Sequence, residues 1–515
     1  TIIVLSQDYF SQLDVLPPSM EEKKQHLSDI TIASGLDANY IENDYDDFQT
    51  ETLLPHKISN DGPNLAVSDF NNDGLQDFIL GSSVGKIPQV FIQMENGGFG
   101  KIQSPSFFNH QMSETGGIVV FDVNGDKNQD LLVSGGGYQY AYGDTNYASR
   151  LYIGNGQGLF GLVKNAVPKQ LSNSGKVVAE DIDKDGDTDF LICGKAFPQK
   201  YPYPGATTIL INDRGFFYDR TRFIAPDLSY IGMINDAEFS DIDADGDRDL
   251  ILLGEWMDVT IFKNEKGKFS RSTTPLDVPG WWSCVTVNDI DADGDEDLLV
   301  GNAGMNNKFR ASKEKPLDIY AHDFDNNGSL DIVLAHTKND HLLPVRGKEC
   351  STGQMPFLAD KFPTYLSFAS SDLYQIYSKQ KLDSALHYRA TEFRSGILYN
   401  DGKGNFTFKP FGNDAQVSFI NEFIVRDVDG DGKKDILAVG NRFGTEVETT
   451  RYDAGCGLCM LQNADGTFTS VSSNQSGFFT PGDAKSMVEI KLGRNGSVGV
   501  LVGNNQGKVQ LFKVN

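Results

Sequence analysis

Asp241-Ile242-Asp243-Ala244-Asp245-Gly246-Asp247-Arg248-Asp249 runs directly into Leu250-Ile251-Leu252-Leu253. Aspartates stand at positions 1, 3, 5, 7 and 9 of this stretch, and a glycine stands at position 6. Carboxylates this close repel one another unless a cation sits among them. A hard cation such as calcium takes about six to eight oxygen ligands, and a nine-residue loop with Asp or Asn at 1, 3, 5 and 9 can wrap one ion. Glycine at 6 permits the sharp backbone turn. The apolar run that follows reads as a β-strand, so the stretch is a metal loop feeding a strand.

Six further stretches repeat the pattern. The first loop supplies Asp69, Asn71, Asp73 and Asp77. The second supplies Asp122, Asn124, Asp126 and Asp130, with Lys127 where glycine is expected. The third supplies Asp181, Asp183, Asp185 and Asp189. The stretch quoted above is the fourth, with Asp241, Asp243, Asp245 and Asp249. The fifth supplies Asp289, Asp291, Asp293 and Asp297, and the sixth Asp323, Asp325, Asn327 and Asp331. The seventh supplies Asp427, Asp429, Asp431 and Asp435. An eighth copy, Lys491–Gly499, has lost its acids and is expected to hold no metal.

The donors are oxygens only, which argues against zinc and copper, and the ligand number favours calcium over magnesium. An EF-hand loop has about twelve residues, ends in Glu and lies between helices. Here position 12 is apolar (Leu252, Val300, Leu334) and the flanks are strand-like. Up to seven structural calcium ions are expected.

A second periodic signal is an Asn/Gly turn leading to an aromatic: Asn96–Phe99, Asn155–Phe160, Asn212–Phe216, Asn264–Phe269, Asn400–Phe406 and Asn463–Phe468, with Asn504–Gly507 a weaker case. These are hairpin turns, in which Gly or Asn takes the positive φ. Each unit reads strand, metal loop, strand, strand, hairpin turn, strand. A four-stranded propeller blade needs about 40–50 residues. The fold expected is therefore all-β, a β-propeller. Seven blades are favoured, with the fifth and sixth loops sharing one compressed region, and eight is the alternative. The step from Asp323 to Asp427 contains a small helical insertion at about 340–395, in which Leu373, Ile376, Tyr377 and Leu382 sit at helical spacing. Residues 1–60 read as a linker or the edge of a preceding domain, with a candidate strand at Thr1–Leu5 and a polar, helix-like Met20–His26; the propeller spans 61–515.

The chain has 515 residues, a net charge of −26 and 53 glycines. Such a field repels nucleic acid and anionic lipid. Much of the acid lies in the loops, which makes it metal-site charge rather than an acidic tail. Five cysteines are no disulfide framework, and Cys456-Gly-Leu-Cys459 is a lone pair, read as two small residues at a strand start or as a zinc or redox site. No apolar run is long enough for a transmembrane helix. There is no HExxH, GxSxG or P-loop, so no catalytic set is assigned.

The loops and Asn-Gly-Phe turns together resemble FG-GAP/VCBS repeats, the calcium-bearing propeller blades also found in integrin α heads. More narrowly, Gly254-Glu-Trp-Met257, Gly280-Trp-Trp282, Gly301–Asn306 and Arg451–Ala454 are similar to stretches of secreted ASPIC/UnbV-type proteins of Bacteroidetes, in which such a propeller often forms a C-terminal half. The resemblance implies an extracytoplasmic or outer-membrane surface location, as a secreted protein or lipoprotein, and association with nutrient-uptake machinery. The function expected is a non-enzymatic, calcium-stabilised module that binds a protein partner. The alternative is a carbohydrate-binding or polysaccharide-cleaving propeller. The candidate ligand platform is Trp256, Trp281 and Trp282, whose other reading is packing between blades. The tyrosine-rich Gly135–Tyr142 reads as a surface loop.

Overall fold

The computed structural model describes residues 25–170, 172–272 and 276–515, and the candidate strand at Thr1–Leu5 and most of the helix-like Met20–His26 lie outside them. The described chain is all-β apart from short helices. Seven antiparallel sheets follow one pattern, with successive strands hydrogen-bonded in order. Their first strands are Leu65–Ser68, Glu114–Phe121, Ser174–Glu180, Met233–Ser240, Cys284–Asn288, Ile420–Arg426 and Asp483–Leu492. Each of these strands packs against the next, and the last packs against the first, which closes a ring. The second strands are almost wholly buried, as in Asp249–Met257 and Asp297–Gly301, because neighbouring sheets cover both of their faces.

Each aspartate loop joins the first strand of a sheet to the second. Position 9 is the first residue of the second strand and pairs with the residue before position 1, as in Ser68 with Asp77, Ser240 with Asp249 and Arg426 with Asp435. The acid-free copy in the seventh sheet is built differently. There Leu492 pairs with Ser497, so the strands run further and close on a tight turn at Gly493–Gly496.

The sixth loop does not belong to the ring. The second strand of the fifth sheet, Asp297–Gly301, pairs with Gly396–Asn400, so everything from 302 to 395 is one excursion between neighbouring strands. It contains a sheet of its own, ordered His341–Pro344, Asp331–Lys338, Leu317–His322, Leu386–Ala390, with the sixth loop between its two central strands. This corrects the reading of a compressed region and of an insertion confined to 340–395. The sixth loop matches its siblings so closely that the sequence counts it as part of the main repeat. The helical stretch is two short helices, Leu373–Tyr377 and Lys379–Ser384, broken at Ser378 where φ is 68°. Leu373, Ile376, Tyr377 and Leu382 are all buried, so the helical spacing does mark a packed face.

Residues 25–60 are not a linker. Leu27–Asp29 forms the outer strand of the seventh sheet, pairing Leu27 with Val514. Asn39–Tyr40 pairs with Gly507–Lys508. Asp47 is buried and accepts hydrogen bonds from the Ile58 and Ser59 amides. The segment reads as irregular because it is held by distant strands rather than by local periodicity.

Candidate functional site

The loops share one internal scaffold. At position 1, Asp69, Asp122, Asp181, Asp241, Asp323 and Asp427 each accept through Oδ2 from the amide of position 6. At position 9 the carboxylate is buried. Its Oδ1 accepts from the third strand, as in Gln93 N to Asp77, Asn212 N to Asp189, Asn400 N to Asp297 and Gln462 N to Asp435. Its Oδ2 accepts from the amide of position 2, as in Ile182 to Asp189. The asparagine of the hairpin turn completes the tie. Asn264 Nδ2 donates to the carbonyl of Arg248 (2.9 Å), and its Oδ1 accepts from Gly267 N (2.8 Å). The two periodic sequence signals are thus halves of one structure.

Two backbone positions in each loop carry positive φ. Position 6 does so at Gly246 (92°) and also at Lys127 (70°), so the second loop keeps its shape without glycine. Position 4 does so at Ala244 (57°) and Ala292 (61°), an alanine conformation that costs about 1–2 kcal/mol each. Sequence reading missed position 4, because Asn, Gly, Lys and Ala all occupy it.

Three carboxylates come within 4.8 Å of one another in five loops. The sets are Asp181, Asp183 and Asp189; Asp241, Asp243 and Asp245; Asp289, Asp291 and Asp297; Asp323, Asp325 and Asp331; and Asp427, Asp429 and Asp435. Asp185, Asp293 and Asp431 stand outside these sets. In the first and second loops position 3 is the amide of Asn71 or Asn124, so Asp69, Asp73 and Asp77, and Asp122, Asp126 and Asp130, form no such triad. In the sixth loop Asn327 Oδ1 accepts from Ser329 N (2.7 Å).

The donor chemistry fits a metal ion. Asp243 Oδ1, Asp249 Oδ2 and Asp289 Oδ1 are buried oxygens with no hydrogen-bond partner. Burial, with neighbouring loop carboxylates adding to it, pushes the Asp77 and Asp189 carboxyls up to about 7 and those of Asp249, Asp297 and Asp331 up to about 6. A cation among these groups favours their charged form and reverses that push.

The opposite end of the sheets holds a different centre. Trp256, Trp281 and Trp282 are 4%, 1% and 0% exposed, so they form no ligand platform. Trp256 and Trp281 pack edge to face, with ring centroids 5.3 Å apart, inside a cluster containing Leu54, Tyr201, Phe309, Phe393 and Phe419. Leu317, Ile319, Ile332 and Leu334 of the inserted sheet join the same cluster. Trp256 and Trp281 therefore seat the insertion and the N-terminal segment on the ring, while Trp282 packs between the fourth and fifth sheets. Beside them lies a buried polar group. Glu255 accepts from His56 Nε2 (2.8 Å), Arg442 (3.0 Å) and Tyr201 Oη (3.0 Å), and Trp256 Nε1 donates to Tyr201 Oη (2.6 Å). Burial alone would raise the Glu255 carboxyl, but His56 and Arg442 hold it well below the ordinary carboxylate range. Burial lowers His56, against the opposing pull of the Glu255 carboxylate.

The first strands of the ring enclose a cavity of ≈ 120 Å³. Its lysines and arginine are paired: Lys176 with Asp236 (2.9 Å), Lys195 with Asp61, Lys485 with Asp483 (2.8 Å) and Arg442 with Glu255. In the tyrosine-rich segment, Tyr138 is buried and Tyr142 is half exposed, stacked on Phe197 with centroids 4.6 Å apart. Cys456 is exposed, and Cys459 is buried in the strand Leu458–Gln462. Among the described residues, both are free thiols. Phe216 is exposed and its neighbour Phe217 fills the core instead.

Residues 69–133 and 241–300 match the FG-GAP-like repeat family. These segments carry the first, second, fourth and fifth loops. No curated protein matches the chain. Among solved structures, the V. cholerae biofilm matrix protein Bap1 is similar at 11% identity over 93% of this chain and 91% of that one, with a TM-score of 0.39. The Dos1 propeller is similar at 8% identity over 87% and 79%, with a TM-score of 0.42. BBS1N in complex with ARL6DN is similar at 10% identity over 89% and 94%, with a TM-score of 0.40. Among the described residues, no helix is long and apolar enough to cross a membrane.

Proposed function

We propose that the chain is a non-enzymatic, calcium-stabilised propeller of seven blades that acts as a protein-interaction module outside the cytoplasm. The carrying observation is the recurrence of one acid triad, at positions 1, 3 and 9, in four separate loops. Oxygen-only ligands and a loop open enough for high coordination suit calcium better than magnesium or zinc. Extracellular calcium modules bind with Kd of about 10⁻⁴–10⁻³ M, so occupancy calls for a calcium-rich compartment. The ASPIC/UnbV-like motifs support an outer-membrane surface complex linked to nutrient uptake as the setting. Glu255, Trp256, Trp281, Asn302 and Tyr452, which belong to those motifs, are all buried, so in this chain they serve assembly rather than contact with a ligand.

The carbohydrate reading rested on the three tryptophans, and their burial removes its platform. The outer strand of the third sheet offers exposed aromatics instead, with Arg220 lying 5.6 Å from the Tyr218 ring and 5.9 Å from the Phe223 ring. Exposed aromatics around an arginine suit a protein partner. The test is capture of outer-membrane proteins in mild detergent with calcium present. One stoichiometric partner, released by chelator and weakened by Phe223→Ser, is expected. Glycan-array binding with no protein partner would overturn the reading.

A further inference from the structure

The fourth loop carries aspartates at 1, 3, 5, 7 and 9, as the third and fifth do, yet its internal geometry departs from theirs. Its close carboxylates are at positions 1, 3 and 5, whereas the third, fifth, sixth and seventh loops bring together positions 1, 3 and 9. Asp249 at position 9 is 1% exposed, and its Oδ2 has no partner. In the other six loops the same oxygen accepts from the amide of position 2.

A lysine accounts for the difference. Lys263 Nζ lies 2.5 Å from Asp243 Oδ2, the carboxylate at position 3. Lys263 sits in the third strand, Thr260–Asn264, just before Asn264, whose amide donates to Asp249 Oδ1 (2.7 Å). In the other ring sheets with aspartate loops, the residue before the corresponding donor is Ile92, Ile153, Ile211, Tyr399 or Leu461. None of these side chains carries a positive charge. Only the fourth sheet places an ammonium there. The hairpin turn of the fifth sheet lies over it: a Cβ on Gly404 would come within 3.3 Å of Lys263 Nζ, and Asn400 Nδ2 donates to the Ile242 carbonyl (2.8 Å). A second cation, Lys184, donates to the Gly246 carbonyl (3.1 Å) and to Asp247 Oδ1 (2.6 Å) of the same loop.

We propose that Lys263 is a built-in competitor for the cation of the fourth loop. Its ammonium holds the position-3 carboxylate and repels an incoming divalent ion. A loop with a full set of aspartates is then a weak calcium site and the first to empty as calcium falls. This rests on the reading of the loops as calcium sites.

Calorimetric titration of the metal-stripped full chain with calcium chloride tests it, comparing the wild type with Lys263→Met and Lys263→Arg. The methionine keeps the aliphatic stem and removes the charge, and the arginine keeps the charge. Lys263→Met is expected to tighten one site by about tenfold and leave the others in place, as removal of a unit charge at contact distance from a divalent ion predicts. Lys263→Arg is expected to keep that site weak. If the methionine variant fails to fold, Lys263→Gln gives the same readout. Calcium uptake with every affinity unchanged, or with one site weakened, by loss of the charge would overturn the competitor role alone. No calcium uptake by any of the proteins would overturn the calcium reading and this inference with it.

Discussion

At one end of the ring sheets, an aspartate loop and an asparagine turn repeat with the same hydrogen bonds, so that Asp77, Asp189, Asp297 and Asp435 are held alike. At the other end the second and third strands are joined by connections of unequal length, and one contact set occurs once: Glu255 with His56, Arg442 and Tyr201, roofed by Trp256, Trp281 and the inserted sheet. The first end is stabilised by something many copies can share, a cation among carboxylates. The second is stabilised by an ion pair and an aromatic core assembled from residues far apart in the chain. Loss of calcium should loosen the first end and leave the second intact, and a mutation in the second should not be rescued by calcium.

The largest single effect is expected at the unrepeated end. Glu255→Gln removes the charge that compensates Arg442 in a fully buried site. Breaking a buried pair by removing one partner costs about 3–5 kcal/mol. Urea denaturation should show that loss equally in calcium and in chelator. A loss that appears only in calcium would break the division between the two ends. A smaller and conditional effect is expected from Asp297→Asn in the fifth loop. The amide keeps an acceptor for only one of Asn400 N and Ile290 N, sets an N–H against the other, and withdraws a charge from the triad with Asp289 and Asp291. We expect a loss in chelator of about 1–3 kcal/mol from the unsatisfied amide, and about 1–2 kcal/mol more in calcium, of the order of one hydrogen bond to a charged group. Equal losses in both conditions would mean that the carboxylate serves the backbone alone.

The same contrast explains what could be read in advance. The loops were legible because each carries its chemistry within nine residues, and the turns because glycine and asparagine mark positive φ locally. The place of the sixth loop was not legible. Asp323–Asp331 has the right residues, and only the pairing of Asp297–Gly301 with Gly396–Asn400 shows that it lies in an excursion from the ring. Trp281 and Trp282 looked like a platform because neighbouring tryptophans in a glycine-rich connection carry no sign of burial. The partners that cover them are distant in the chain: Phe393 at the end of the excursion and Phe408 beyond it. His56 and Arg442 had no motif at all, and the motif around Glu255 named no partner for it, since their chemistry exists only after four distant segments meet. Lys263 carries no local signal. The signal that finds it is comparison across sheets, where the same place is otherwise uncharged.

The acid-free hairpin gives the internal control. With Leu492 paired to Ser497, the seventh sheet closes its first two strands without a carboxylate. The aspartate loops are wider, four of them place alanine or lysine at positive φ, and the fourth and fifth leave buried carboxylate oxygens without partners. Such loops are poor structures without a cation and good ones with it. Thermal unfolding of the full chain at pH 7.5 in millimolar calcium and in excess chelator tests this most directly. Chelation is expected to lower the melting temperature by about 3–9 °C, the sum of several occupied sites in a chain of this length. A melting temperature unchanged by chelation would contradict it.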